Sequence, residues 1–162
     1  MQRIRAEPLE AAAFAAFGDV LEAAGAPDLH INAGLCARYH DRARLDFGPD
    51  GRAGVSIFSA IPCALPYRLD LLERHPLGSQ TFIPMTENPF LVIVAPDVGG
   101  RPGIARAFLT RSGQGINLLR GTWHGVLTPL AAPGLFAVID RIGPRANLEE
   151  FPLAEAIQVI AG

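Results

Sequence analysis

Two short stretches of the sequence carry side chains that could perform acid–base chemistry. They are residues 73–80, ERHPLGSQ, and residues 121–124, GTWH. Glu73 and His75 are two residues apart, so on an extended strand both side chains point to the same side. The segment between His75 and Gln80 has the composition of a tight turn, because proline fixes φ and glycine tolerates positive φ. We therefore predict a hairpin that brings Glu73, His75 and Gln80 into one small volume.

The elements that must position these groups are mostly strands. Short apolar segments recur between Gly- and Pro-rich turns at spacings of about eight to twelve residues, which is typical of an antiparallel sandwich or barrel. The strand candidates are residues 19–22, 54–59, 81–85, 90–95, 105–110, 116–119, 122–127 and 134–140. One helix is predicted, over residues 8–17, because the segment is rich in alanine and its apolar side chains fall on one face. For residues 67–74 and 148–160, strand and helix both stay open.

Composition limits the classes of function. The chain has 162 residues, of which 49% are hydrophobic and 19% charged, and we predict one domain spanning residues 1–162. The net charge is −2 without a cluster of basic residues, which argues against a nucleic-acid or membrane partner. Cys36 and Cys63 lack CxxC spacing, so reduced structural thiols are expected. Neither a signal peptide nor a membrane-length apolar run is visible, and we expect a cytoplasmic protein.

The spacing of the polar residues resembles the two motifs of the cupins, which are small jelly-roll β-barrels. The first cupin motif is His-x-His followed by Glu, and Glu73, His75 and Gln80 occupy those places here. The second motif is Pro-x-Gly-x-x-His, which aligns with residues 119–124, LRGTWH. The resemblance implies a mostly β, cupin-like antiparallel jelly-roll barrel, behind the N-terminal helix, with Glu73, His75, Gln80 and His124 converging inside it.

Such a convergence allows three readings. His75, Gln80 and His124 could ligate a divalent metal, although an amide oxygen is a poor ligand. The same groups could instead form a metal-free pocket for acid–base and hydrogen-bonding work. A satisfied polar cluster with a purely structural role is the third reading. We interpret Trp123 as a packing residue, and His30 and His40 as surface residues unless they belong to a site.

A longer set of motifs resembles the ureidoglycolate lyase family. The segments that carry the resemblance are HINAG at 30–34, RYHD at 38–41, ERHPLGSQTFIPM at 73–85, GIN at 115–117, WH at 123–124 and IDR at 139–141. The resemblance implies a homodimer that cleaves (S)-ureidoglycolate to glyoxylate and urea in allantoin and purine catabolism. It also implies stimulation by nickel, with no tightly bound cofactor.

The resemblance suggests roles for individual residues. The catalytic candidates are His75 and His124, either of which could be the base, with Glu73 to orient an imidazole and Gln80 to bind the urea group. The substrate-binding candidates are Asn32, Arg38, Tyr39, His40 and Arg74. An arginine fork suits the substrate carboxylate, and strand alternation turns Arg74 away from Glu73 and His75, which favours Arg38.

Two other function classes stay open at this point. One is a cupin enzyme with a different reaction on a small acid, which a firmly bound iron or manganese would indicate. The other is a non-catalytic binding protein for a small carboxylic acid, which would bind its ligand without turnover.

Overall fold

The computed structural model describes residues 1–162 and consists of sixteen strands and one short helix. In chain order the elements are β1 (Gln2–Pro8), α1 (Ala11–Phe14), β2 (Gly18–Leu21), β3 (Leu29–Ile31), β4 (Cys36–Arg38), β5 (Arg52–Ala60), β6 (Tyr67–Arg74), β7 (Gln80–Pro84), β8 (Phe90–Ala95), β9 (Asp97–Val98), β10 (Arg101–Pro102), β11 (Arg106–Leu109), β12 (Gly115–Leu118), β13 (Trp123–His124), β14 (Thr128–Pro129), β15 (Gly134–Ile142) and β16 (Glu149–Ile160). The prediction of a mostly β protein is confirmed. The two segments left open between strand and helix, now β6 and β16, are strands that pair with each other.

Six of the strands form a closed barrel in the order β11-β1-β16-β6-β13-β8, because β11 also pairs with β8. β14 pairs with the Phe90–Leu91 end of β8, on the same edge of β8 as β13. The predicted barrel is thus present, whereas a jelly-roll connection is not established by these pairings. The sheet is also not purely antiparallel, because β1 runs parallel to both β11 and β16.

A second sheet of five strands, in the order β2-β12-β7-β15-β5, packs on the outside of this barrel. β8 shows how the layers share apolar residues, since its whole run Phe90–Ala95 is buried. Its even-numbered residues, such as Val94, join a core cluster with residues of the second sheet, such as Phe82 and Val138. Its odd-numbered residues, such as Ile93, join a cluster drawn from the barrel strands and from Ala105, which precedes β11. A strand buried on both faces has this continuous apolar sequence.

The predicted helix over residues 8–17 is wrong. Pro8 is the last residue of β1, and the Leu9 N–H donates to the Leu109 carbonyl oxygen at 2.9 Å, so the sheet holds the start of the segment. Only α1 is helical, and Phe14 and Phe17 are buried in the core between the layers. Helix propensity is a weak preference that strand pairing and burial override here.

The predicted hairpin between β6 and β7 is also wrong. β6 is a barrel strand and β7 belongs to the second sheet, so the turn that follows His75 connects the two layers rather than two paired strands. The turn therefore carries the chain from the barrel at Arg74 to the second sheet at Gln80.

Residues 29–38, which we call the arm, form a separate hairpin in which β3 and β4 pair only with each other. Its turn contains Asn32 and Ala33, both at φ 55°, and Gly34 at φ 87°. Leu35 at the turn is 89% exposed. The arm thus projects from the rest of the chain. No helix in the structure has the length and apolar character needed to cross a membrane.

Candidate active site

The two predicted motifs meet. Glu73 on β6 and His124 on β13 are directly paired in register, and His124 also pairs with Val94. Directly paired residues share a face of the sheet, so Glu73 and His124 point, like Val94, towards the second sheet. His75 follows β6 by one residue, and its ring centroid lies 5.2 Å from that of His124. One potential ligand atom from each of Glu73, His75 and His124 lies within 4.8 Å of the others.

The position of this cluster corrects one expectation. Trp123, adjacent to His124, packs inside the closed barrel, as its buried side chain and its place in the barrel cluster show. Because side chains alternate along a strand, His124 points outward from that barrel. The cluster therefore lies in the cleft between the barrel wall and the second sheet, not in the interior of the closed barrel.

Backbone carbonyls fix the orientation of both imidazoles. The His75 Nδ1 lies 2.6 Å from the Asn147 carbonyl oxygen, and the His124 Nδ1 lies 2.9 Å from the Gly125 carbonyl oxygen. A carbonyl oxygen only accepts, so each Nδ1 carries the hydrogen and each Nε2 keeps its lone pair in the neutral ring. Both Nε2 atoms are buried and have no hydrogen-bond partner. The site thus presents two free imidazole lone pairs.

Burial also sets the charge of the cluster. Burial and the nearby His75 together lower the pKa of His124 to about 4, while the bond to the Gly125 carbonyl opposes the shift. His124 is therefore neutral near pH 7. Burial raises the pKa of Glu73, against the effect of His75 and with that of Glu150. Glu73 Oε1 lies 4.0 Å from His124 Nδ1, close enough to stabilise a protonated ring.

Gln80 contributes an amide oxygen from the other layer. It is buried on β7, two residues from the core residue Phe82 and so on the same face of the second sheet. Its Nε2 donates to the Asp140 Oδ2 at 3.2 Å, which fixes the orientation of the amide. Its Oε1 is buried without a partner. Gln80 thus offers a free acceptor on the core-facing side of the second sheet.

Arg74 does not join the cluster. Its guanidinium lies 4.5 Å from the centroid of the Trp123 ring and forms ion pairs with Asp97 at 2.8 Å and Glu149 at 2.6 Å. Trp123 Nε1 donates to the same Asp97 at 2.9 Å. The alternation that turned Arg74 away from Glu73 is confirmed, and its contacts are those of a residue that fastens β6 to its neighbours.

The remaining substrate-binding candidates lie on or beside the arm and are not brought to the cluster. Asn32, Arg38 and His40 are exposed. The Tyr39 hydroxyl donates to the Gly25 carbonyl oxygen at 3.1 Å, and the His40 N–H donates to Asp28 at 2.8 Å. Within one chain, these residues form a group separate from Glu73, His75, Gln80 and His124.

Two residues that support the site were missed by the sequence-based prediction. Asn147 holds His75 through its carbonyl oxygen, and its side-chain Oδ1 accepts the Leu77 N–H at 2.7 Å. Asp140 orients Gln80. Asp140 lies in the IDR motif and could have been found there, but nothing in the local sequence connects Asn147 with a histidine 72 residues away.

The donor set fits a divalent metal. Two Nε2 lone pairs without partners and the Glu73 carboxylate are ligands of the kind that transition metals prefer, and carbonyl bonds to the far ring nitrogens are common behind metal-bound histidines. The structure brings Glu73, His75 and His124 together as such a set. The same arrangement also suits acid–base chemistry without a metal.

The cavity beside His124 is small. A cavity of about 20 Å³ borders His124 and is lined mostly by apolar side chains, among them Phe82, Val92 and Ile116. This volume holds about one water molecule. A ligand larger than a water molecule therefore needs a widened cleft.

Comparison with known proteins decides the family. A family model described as ureidoglycolate lyase matches residues 1–160. The chain belongs to the ureidoglycolate lyase family. It is 61% identical to the ureidoglycolate lyase of Rhodobacter capsulatus, over 94% of this chain and 95% of that one. It is 51% identical to the ureidoglycolate lyase of a Chelativorans species, over 98% and 97%, and 52% identical to ureidoglycolate lyase 2 of Rhizobium meliloti, over 94% of each. The predictions of this family and of a lyase are confirmed.

Proposed function

We propose that this ureidoglycolate lyase family member cleaves (S)-ureidoglycolate to glyoxylate and urea. The relatives bear the name of that activity, and the site supplies suitable groups. The single observation that carries the mechanism is the pair of buried imidazole Nε2 atoms without partners, in a cluster that includes the Glu73 carboxylate.

The chemistry of the substrate defines what the site must do. One carbon of ureidoglycolate bears a hydroxyl, a carboxylate, a hydrogen and the ureido nitrogen. In the reaction the hydroxyl O–H bond and the C–N bond break, while a C=O bond and a new N–H bond form. The proton lost by the hydroxyl oxygen equals the proton gained by the urea nitrogen, so one group that accepts and then donates a proton is sufficient.

His124 suits this transfer. Its Nε2 is unprotonated near pH 7 because burial depresses the pKa of the ring to about 4. The same low pKa makes the protonated ring a strong donor towards the departing nitrogen. Glu73, 4.0 Å from His124 Nδ1, stabilises the charge while the ring holds the extra proton. In this proposal His75 accepts a second hydrogen bond from the substrate through its free Nε2.

Gln80 suits the urea group. Its free Oε1 can accept an N–H of the ureido moiety, while Asp140 keeps the amide from rotating. A hydrogen-bonded site of this kind rejects analogues that lack the N–H, because the Gln80 oxygen would stay buried and unpaired.

Glu73, His75, His124 and Gln80 would hold a divalent metal, and nickel is the ion that the resemblance implies. Such an ion, when bound, would lower the pKa of the substrate hydroxyl and attract its carboxylate. The single domain over residues 1–162, the homodimer, the cytoplasmic location and the place in purine catabolism stay predictions.

The experiment is to give purified protein racemic and single-enantiomer ureidoglycolate and to measure urea and glyoxylate, with and without a chelator. Equal release of both products from the (S) isomer supports the proposal. His124→Ala should remove most of the activity, whereas Arg68→Ala, at an exposed ion pair with Asp70, should not. Binding of the substrate without turnover would instead support a non-catalytic binding protein.

A further inference from the structure

The cluster lacks a cation for the substrate carboxylate. Arg74 is committed to Asp97, Glu149 and the Trp123 ring on the other face of the barrel wall. Arg141 is committed as well, since its guanidinium donates to the Phe47 and Pro144 carbonyl oxygens and to Asp50.

The charged groups that do face the cluster are acidic. Glu73 is part of it, Glu150 is paired with Glu73 in register, and Asp140 holds Gln80. A substrate that carries a carboxylate would meet these groups without a compensating charge, so the site of a single chain is electrostatically incomplete.

An uncommitted cation lies on the arm. The arm is fastened at its base: the Asp28 N–H donates to the Arg38 carbonyl oxygen at 3.0 Å, and Arg42 forms an ion pair with Asp28 at 2.7 Å. The Arg38 guanidinium itself makes neither a hydrogen bond nor an ion pair and is exposed. This fastening holds Arg38 outside the cluster of its own chain.

The tip of the arm has the features of a contact segment. Ala33 adopts a left-handed backbone at φ 55°, a conformation that costs free energy in a residue with a Cβ and that is often retained at functional sites. Leu35 beside it is 89% exposed, although its side chain is apolar. An arm with an apolar, conformationally held tip and an arginine at its base suits contact with the acidic, apolar-lined cleft.

We propose that the arm of one copy of the chain packs over the cleft of a second copy, where Arg38 binds the substrate carboxylate. Each copy has one uncommitted arm and one cleft without a cation, so a two-fold dimer satisfies both at once. Asn32 on the same arm supplies an amide to the substrate, and Leu35 is covered by the partner. This inference rests on the proposed lyase activity and adds that each active site contains residues of two chains.

Complementation between two defective variants tests the inference. Arg38→Ala carries an intact His124, and His124→Ala carries an intact Arg38. With the two chains tagged differently and co-expressed, the isolated heterodimer has one site without a substitution and one site with both. We expect each homodimeric variant to lose about 10- to 100-fold or more in kcat/KM, and the heterodimer to recover half of the wild-type kcat.

Arg101→Ala is the matched control, because Arg101 is also exposed and its polar atoms make no hydrogen bond or ion pair. It should retain wild-type kcat/KM. Light scattering at the assay concentration should show a dimer.

An inactive heterodimer, a monomeric wild-type protein, or an Arg38→Ala variant with wild-type kcat/KM would each overturn the inference. These results differ from failure of the proposed function, in which the wild-type protein itself releases no urea.

Discussion

Asn147 is the residue whose substitution tests the site geometry most directly. Its carbonyl oxygen lies 2.6 Å from His75 Nδ1, and its side-chain Oδ1 accepts the Leu77 N–H at 2.7 Å. Asn147→Leu keeps a similar volume but removes the side-chain acceptor. The half-buried Leu77 N–H then loses its partner, and the backbone that carries the carbonyl oxygen is no longer held against the turn after His75.

The expected losses follow from these two bonds. An unsatisfied, partly buried N–H costs about 1–3 kcal/mol of unfolding free energy. A catalytic side chain displaced by a fraction of an ångström to one ångström loses up to about 10²-fold in rate. We therefore expect Asn147→Leu to lower kcat/KM by about 10- to 100-fold. Asn147→Asp, whose carboxylate can accept the same Leu77 N–H, should retain most of the activity.

Two measurements together separate a positioning role from a general loss of stability. Steady-state kinetics gives kcat/KM, and ¹⁵N NMR of the histidine rings in the metal-free protein reports which nitrogen of His75 carries the hydrogen. The wild-type protein should show the Nδ1–H tautomer, and Asn147→Leu a mixture of the two. The reasoning fails if Asn147→Leu keeps both wild-type activity and the wild-type tautomer, or if Asn147→Asp is as damaged as Asn147→Leu.

Three further predictions follow from the site. The pKa of His124 is about 4 in the folded protein against 6.5 for the free side chain, so between these pH values the unfolded chain binds a proton that the folded chain does not. The metal-free protein should therefore lose up to about 3 kcal/mol of unfolding free energy as pH falls from about 6.5 to about 4. Urea titrations at several pH values would measure this loss, and His124→Gln should flatten the pH dependence. Ni²⁺ at about 100 times its Kd should raise the Tm of the metal-free protein by about 5–10 °C, and in a calorimetric scan the double variant His75→Ala/His124→Ala should show no such rise. Asp140→Leu should release the Gln80 amide and lower kcat/KM by about 10- to 100-fold, while Asp140→Asn, which retains an acceptor oxygen, should stay near wild type; equal kinetics of the two variants would argue against this role.

The residues of the site could be predicted because the alternation of side chains along a strand depends only on the local sequence. Glu73 and His75 share a side because strand side chains alternate, and the same rule correctly turned Arg74 away. The motif that ends in His124 was found from its spacing, and the structure does bring His124 to Glu73 and His75.

The layer arrangement could not be predicted, because the local sequence of a strand does not determine which strand it pairs with. An apolar strand such as β7 has the same sequence pattern whether it pairs with β6 or joins a different sheet. The turn that connects the two layers was therefore predicted as a hairpin. The alanine-rich segment after Pro8 favours a helix by propensity, but the bond from Leu9 to Leu109 depends on a strand far along the chain. The contact of Asn147 with His75 has the same non-local origin.

The division of the site between two layers makes it sensitive to how those layers dock. Glu73, His75 and His124 belong to the barrel side, whereas Gln80 and Asp140 belong to the second sheet. A small slide of one sheet over the other would separate the proposed proton transfer from the proposed recognition of the urea group while leaving every strand folded. Substitutions in the apolar interface between the layers, far from any reacting atom, can therefore alter turnover and selectivity. Natural or engineered variation there can change the activity of the enzyme while its polar residues stay the same.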